Sequence, residues 1–548
     1  MIMTSKLKKN QQAHPVDAPL YHSDHAKPFT RRDFIRQGFM GGSASLISGG
    51  VFSLFAAPNT AMAALSADVD SLAADINCSL GGLTGDAKVP FICFDLAGGA
   101  NLAGSNVLIG GAGGQNDGTI STAGYSKMGI PGDMVPGLDS SAFTPTLLNL
   151  SANNDFVNDE LGLEFHADSA MLMGILERAG ASVGNVDGCV IPARSGNDTS
   201  NNPHNPLYGI SLAGGKGSVV DLVGSRSTDS GGNSMAPADM INAEVRPTKV
   251  DRPSDVTGMV DVGELTAILS NPADVTAVME SMARITHKKL KLDAVNTGLV
   301  TKDEVVKDLV RCGYLKAAEL ADRFAGREVD PTKDTNILDI FSVDELDNDG
   351  EFRKTASVMK MVLNGYSAGG CITMGGYDYH TGDRRTGENR DLRAGRCIGA
   401  CLNYAEKLGK PLMIYVYSDG SVASNGMRDD TADIGTILGG RGKGVWTGDN
   451  SSTACSYMLV YNPTAKPTTL VTPSVIGRQL GRQLGRFSAD ASVVTSSSPA
   501  ANNVNLLVNT VLLNYMSLNG DIGQFASTFP NHGLGSAFDQ YAAFGPLT

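Results

Sequence analysis

Aromatic side chains are scarce in this chain of 548 residues: Phe, Trp and Tyr make up 6%, and Trp446 is the single tryptophan. A core must therefore be built mainly from aliphatic side chains. Charge is thin as well, at 18% of residues, and its balance is acidic, with a formal net charge of −13. Such a surface lacks the broad basic face that a phosphate backbone requires, which excludes nucleic acid as a partner. Beyond the first sixty residues no run approaches the ~20 apolar residues of a membrane helix, which excludes a stable span. Histidine is rare, and three of the eight, His14, His22 and His25, precede the first arginine pair. Glycine is what the chain has in excess: 65 residues, about 12% against a usual ~7%, so tight turns should be many. Apolar content is 42%, normal for a globular protein and too high for a disordered one.

The first segment reads as an export signal. Arg31 and Arg32 form a twin-arginine pair, followed by Phe34 and Ile35 and a mild Gly/Ser/Ala-rich apolar stretch from Gly38 to Ala57. Ala61-Met62-Ala63 then supplies small residues at peptidase positions. Residues 1–63 are expected to be removed, which takes the net charge from −13 to −17 because the leader holds seven basic and three acidic side chains. The expected location is periplasmic or extracellular, reached in the folded state.

All eight cysteines follow the leader. The oxidising compartment permits disulfides, and eight cysteines allow 105 pairings, so connectivity stays open. Cys93, Cys189, Cys371 and Cys455 lie in or beside apolar runs, where a cysteine behaves as a small hydrophobe. Cys397 and Cys401 stand four apart on an expected helix with no zinc-type partners nearby.

Short continuous apolar runs recur between helical patterns. Val89–Leu96, Val186–Ile191, Cys371–Gly375, Leu412–Tyr417 and Tyr457–Tyr461 read as buried strands. Asp168–Gly180, Phe352–Leu363, Leu392–Leu408, Pro473–Leu484 and Val504–Leu518 read as helices around them. This rhythm predicts an α/β fold, a mostly parallel sheet flanked by helices. Residues 215–250 are rich in Gly, Ser and Asp and read as loop. Val262–Leu269, Pro272–Leu290 and Lys302–Phe324 read as amphipathic helices. The expected organisation is a first α/β part over 64–214, a mostly helical insertion over 215–345, and a second α/β part over 346–548.

Chemistry-bearing side chains gather where strands end. Gly376-Tyr377-Asp378-Tyr379-His380 follows one strand, Ser418-Asp419-Gly420 ends another, and Asp95 precedes Gly98-Gly99-Ala100-Asn101 and Gly104-Ser105-Asn106. In α/β sheets, ligands collect at the carboxyl ends of strands. Carboxylates with an imidazole suit a divalent ion such as zinc or manganese. His204, in a polar Asn-Pro loop after a strand, is placed to reach such a site. His166 reads as a capping residue and His287, beside Lys288 and Lys289, as a solvated one. Asp347-Asn348-Asp349-Gly350 opens like a calcium loop but lacks the closing glutamate and reads as a turn.

In the order of these elements the chain resembles a group of twin-arginine secreted proteins related to the alkaline phosphatase/sulfatase superfamily. Gly376–His380 is similar to that group's Gly-Phe-Asp-Thr-His, Gly98–Asn106 to its glycine-rich first loop, Gly162–His166 to its Gly-Leu-His-Pro, and Pro203-His204-Asn205 to its Ser-His loop. The resemblance implies an alkaline phosphatase-like fold with Asp378, His380, Asp419, Asp95 and Asp449 as metal ligands, Ser105 in the nucleophile's place, and Asn101, Asn106 and Asn450 lining the site. Asn101 stands where the group has Asp, and Asn450 where it has His. Those exchanges remove an anionic and an imidazole ligand. Two functions follow as expectations. One is an exported, non-catalytic relative acting in binding or assembly with a protein partner at the cell envelope. The other is a metal-dependent hydrolase of small phosphate or sulfate esters, using zinc, manganese or calcium.

Overall fold

The computed structural model describes residues 65–78, 88–110, 157–195, 202–260, 269, 271–291, 303–324, 327–378, 383–429, 440, 443–449, 452–467, 482–488 and 491–547. The leader therefore lies outside the described residues, as do His380, Asn450 and most of the expected helices at 262–269 and 473–484. Of the last, Gln483 and Leu484 are not helical; Gln483 bridges to Val190 instead.

Eleven strands are described: β1 (Phe91–Leu96), β2 (Val157–Asn158), β3 (Phe165–His166), β4 (Val186–Pro192), β5 (Leu222–Gly224), β6 (Thr248–Lys249), β7 (Gly369–Met374), β8 (Leu412–Ser418), β9 (Val422–Asp429), β10 (Lys443–Asp449) and β11 (Cys455–Tyr461). Seven form one sheet in the order β4-β11-β8-β1-β7-β5-β6. β8, β1, β7, β5 and β6 run parallel, and β11 runs antiparallel to both β8 and β4. The expected mostly parallel α/β sheet is thus present. The stretch 215–250, read as loop, adds β5 and β6 at one edge; two or three residues are too few to leave an apolar run.

The strands are apolar throughout because both faces are covered. Ile92, Phe94, Leu96, Ile372, Ile414 and Val416 pack in one core with helices Ala170–Ala179, Gly350–Leu363 and Arg384–Leu408. Phe91, Cys93, Cys371, Met413, Tyr415 and Tyr417 face the opposite core, under helices Leu207–Leu212 and Val504–Leu518. The four strand cysteines are fully or nearly fully buried thiols, as their apolar settings predict. Each large apolar side chain so buried contributes about 1.5–3 kcal/mol.

Helices Ala170–Ala179 and Arg384–Leu408 cross with almost no space between backbones. A Cβ at Gly395 would lie 2.0 Å from the Met171 carbonyl oxygen, and one at Gly174 2.2 Å from that of Leu392. Ser169 opens the shorter helix by accepting from Leu172 N, and Gly180, at φ +60°, ends it. Pro272–Leu290 and Asp303–Phe324 pack against each other as a helical pair. His287 sits between them, 4% exposed rather than solvated, because that face of its helix is covered by the second. No helix among the described residues is long and apolar enough to cross a membrane.

Candidate functional site

Parallel neighbours β1 and β8 end in register, Asp95 opposite Tyr417 and Leu96 opposite Ser418. Alternation turns Asp95 to the same face as Cys93 and Tyr417, and Asp419 follows one residue beyond β8. Both carboxylates are fully buried. The loop after β5 comes down upon them. Asn233 N and Ser234 N donate to Asp95 Oδ2 at 2.6 and 2.8 Å, and Ser234 Oγ donates to Oδ1 at 3.2 Å. Asn233 Nδ2 reaches Asp419 Oδ2 at 2.6 Å, while Gly98 N donates to Asp419 Oδ1 at 2.9 Å. Burial, with the Asp419 charge second, pushes the Asp95 carboxyl up to about 7, against the pull of the Ser234 and Asn233 donors.

The backbone is fitted as closely as the side chains. Gly98 has φ +125°, and a Cβ there would meet Asp378 N at 2.4 Å. Only glycine takes that conformation beside another main chain. A Cβ at Gly232 would meet Asp95 Oδ2, Cys371 Sγ and Asn205 Nδ2, all within 2.9 Å. The loop therefore fills the crevice at the strand ends.

His204 borders this cluster. It lies 2% exposed, its ring stacked on Tyr417 at 5.7 Å and 7°, with Nε2 3.1 Å from Ser195 Oγ. Ser195 also reaches the Ser418 carbonyl at 3.3 Å, and Asn202 Nδ2 donates to the Asp419 carbonyl at 2.6 Å. Burial lowers the imidazole to about 3, so it is neutral at ordinary pH and a weak base. Its Nδ1 has no hydrogen-bond partner among the described residues.

The other expected site residues among those described have settings of their own. Asp378 is exposed, although its backbone packs on Gly98. Asp449 is exposed on the β9–β10 ribbon, opposite Val422. Asn101 Nδ2 holds the Val422 carbonyl at 2.6 Å. Asn106 accepts from Ser169 Oγ and donates to Asp391, tying β1's loop to two helices. The Ser105 hydroxyl accepts from Trp446 Nε1 at 2.8 Å and Arg384 Nη1 at 3.1 Å.

Those contacts belong to a second polar cluster that pins the ribbon. Lys443 Nζ, fully buried, meets Glu388 Oε1 at 2.8 Å, and Arg384 Nη1 meets the same oxygen at 3.0 Å. Arg384 also pairs with Asp429 at 3.1 Å and lies over the Trp446 ring at 4.7 Å. Burial lowers the Lys443 ammonium and raises the nearby Asp391 carboxyl to about 7.

Asn233, Ser234 and Ser195 were not legible as site residues. Two of them act through backbone N–H groups, which any residue type carries. Their signal was the Gly/Ser/Asn composition of a loop that has to pack closely.

For a divalent ion the fit is poor among the described residues. Every oxygen of Asp95 and Asp419 already accepts a protein donor, and no group of three or more His, Cys, Asp or Glu side chains is arranged to hold a metal. His166 is likewise engaged locally, accepting from Asp168 N at 3.1 Å.

No protein-family model and no curated protein matches the chain. Among solved structures, an alkaline phosphatase (TAB5) point mutant with magnesium in its M3 site is similar at 12% identity and a TM-score of 0.20, over 69% of this chain and 92% of that one. The assignment to the α/β class accordingly rests on the strand order and directions given above.

Proposed function

We propose that this is an exported protein that keeps an α/β body without ester hydrolysis and serves in binding or assembly at the cell envelope. The observation that carries the reading is the seating of Asn233 and Ser234 on Asp95 and Asp419. In a metallohydrolase those carboxylate oxygens face a cation that polarises the ester. Here they face amide and hydroxyl donors of the chain itself, and burial with the Asp419 charge raises the Asp95 carboxyl. In the resemblance to the alkaline phosphatase/sulfatase superfamily, Asn101 and Asn450 stand where that group has Asp and His, which fits the same reading.

The second reading, a metal-dependent phosphate or sulfate ester hydrolase, is favoured by one feature: two buried carboxylates at adjacent strand ends. The test is metal analysis of natively exported protein, with thermal shift in zinc, manganese and calcium and an assay on aryl phosphate and aryl sulfate. No stoichiometric metal, no shift and no turnover are expected. A bound metal whose loss follows Asp95→Asn, together with turnover, would establish the hydrolase instead.

A further inference from the structure

The first described segment is fastened to the helical pair in an unusual number of ways. Helix Ala67–Asp75 packs on both Pro272–Leu290 and Asp303–Phe324. Its Val69 and Ala73 are buried in the same core as Val275, Met279 and Leu315. Ser66 N and Oγ each reach the Glu280 carboxylate at 2.7 Å. Arg284 holds Asp68 through two contacts, at 2.5 and 2.8 Å, and Glu280 at 3.0 Å. Lys291 meets Asp75 at 3.4 Å. Just past the helix, Cys78 is bonded to Cys312, across 234 residues of sequence.

These fastenings differ in kind. Asp68, Asp75 and Lys291 are more than half exposed, and ion pairs of that sort are screened and weak. The apolar contact is made by Leu65, Val69 and Ala73, with Leu72 and Ile76 partly buried against the same core. Of these fastenings the covalent bond alone depends on the redox state of the compartment. The remaining six cysteines are buried thiols. Burial raises Cys93, Cys401 and Cys455 and pushes Cys397 up to about 12, which keeps them as unreactive thiols.

We infer that residues 65–78 form a redox-locked strap: Cys78–Cys312 clamps the N-terminal helix over the helical pair, and in reducing surroundings the strap lifts from it while the sheet body stays folded. The chemistry is a two-electron oxidation of two thiols by a thiol–disulfide oxidant, which is reduced to its dithiol as the two protons pass with it. Cys78 and Cys312 are the pair open to it, because the other six thiols lie inside the folded body. Lifting the strap uncovers the Val275–Met279 face of the first helix and Leu315 of the second. The lock is a property of the purified protein. Its timing, closing after export, rests on the export reading.

The experiment uses the full chain after leader removal, purified from an oxidising compartment. Denaturing alkylation without reductant should add six labels, and after reduction eight. Hydrogen exchange is then followed with and without a dithiol reductant under native conditions. Amides of 67–75, 272–290 and 303–324 should exchange about tenfold faster or more when reduced, with those of β1, β7 and β8 unchanged. Eight labels without reductant would overturn the lock. So would unchanged exchange in the helical pair, or equal acceleration in the sheet, which would make the bond a brace for the whole fold. The double variant Cys78→Ser/Cys312→Ser should reproduce the reduced pattern; if it does not fold, the reductant series on the unmodified chain decides. In an Arg31→Lys/Arg32→Lys chain retained in the cytoplasm, eight labels with a folded sheet are expected. Six labels there would overturn the timing and leave the lock standing.

Discussion

The backbone N–H of Asn233 lies 2.6 Å from Oδ2 of Asp95. A loop that follows one short strand thus places its donors on the carboxylate at the end of another. That contact turns a crevice typical of ligand binding into a filled polar core, and it makes several outcomes measurable.

Asp95 binds its proton more tightly in the folded chain, at about 7, than an ordinary aspartate does at 3.8. Its contribution to stability is present below about pH 4 and lost as pH rises through 7. Asp95→Asn removes that dependence. The variant's unfolding free energy minus the parent's should therefore rise from pH 4 to pH 7, by on the order of a few kcal/mol. Urea titrations across that range read it directly, and a constant difference would sink the assignment.

His204 runs the other way. Its folded value of about 3 lies below 6.5, so the stability it confers is present above pH 6.5 and lost as pH falls toward 3. His204→Gln keeps a polar group near Ser195 without the titration. The variant should gain on the parent as pH drops from 6.5 to 4, in the same urea series.

Lys443 and Glu388 form a buried pair with side chains at most 1% exposed. Lys443→Met leaves Glu388 with Arg384 as its remaining cation among the contacts described, and a loss of about 3 kcal/mol is expected. Because the pair pins β10 to the helix Arg384–Leu408, hydrogen exchange in β9 and β10 should rise more than in β8. Equal protection in all three strands would refute the pinning.

His287 is buried with neither ring nitrogen hydrogen-bonded among the described residues. Burial, then Lys291 and Arg311, depresses its protonation. Replacing an unsatisfied polar ring by an apolar side chain removes a desolvation cost, so His287→Leu should raise the melting temperature at pH 7 by a few degrees. A lower melting temperature would mean that the ring makes a contact it does not show here.

Gly98→Ala joins a φ of +125° to a main-chain clash at Asp378. Strain of this kind costs about 1–3 kcal/mol before the clash is relieved. Soluble yield and melting temperature should both fall, whereas Gly184→Ala, with open space around it, should leave both near the parent values.

The central strands were legible because β1, β7, β8 and β11 are buried on both faces and so read as unbroken apolar runs. The helices Pro272–Leu290 and Val504–Leu518 were legible down to their end residues, since each follows a capping Asn and the second is apolar along most of its length. β5 and β6 were not, being too short to imprint a pattern. β9 was missed because Val-Ala-Ser-Asn-Gly-Met-Arg-Asp mixes polar and small residues on a ribbon whose partner is β10, not the sheet. Of the site, Asp95 and Asp419 could be found from their positions at strand ends. What they bind could not, because a main-chain N–H has no signature in the sequence.

The crossing of Ala170–Ala179 with Arg384–Leu408 carries a consequence for variation in this protein. Where a side chain meets another side chain, a bulkier replacement finds relief in a rotamer change. At Gly174 and Gly395 the neighbour is a carbonyl of the opposite helix, which has no rotamer to change. Even a single methyl group there must separate the two helices, and homologous chains are expected to hold these two positions more strictly than the carboxylates Asp95 and Asp419.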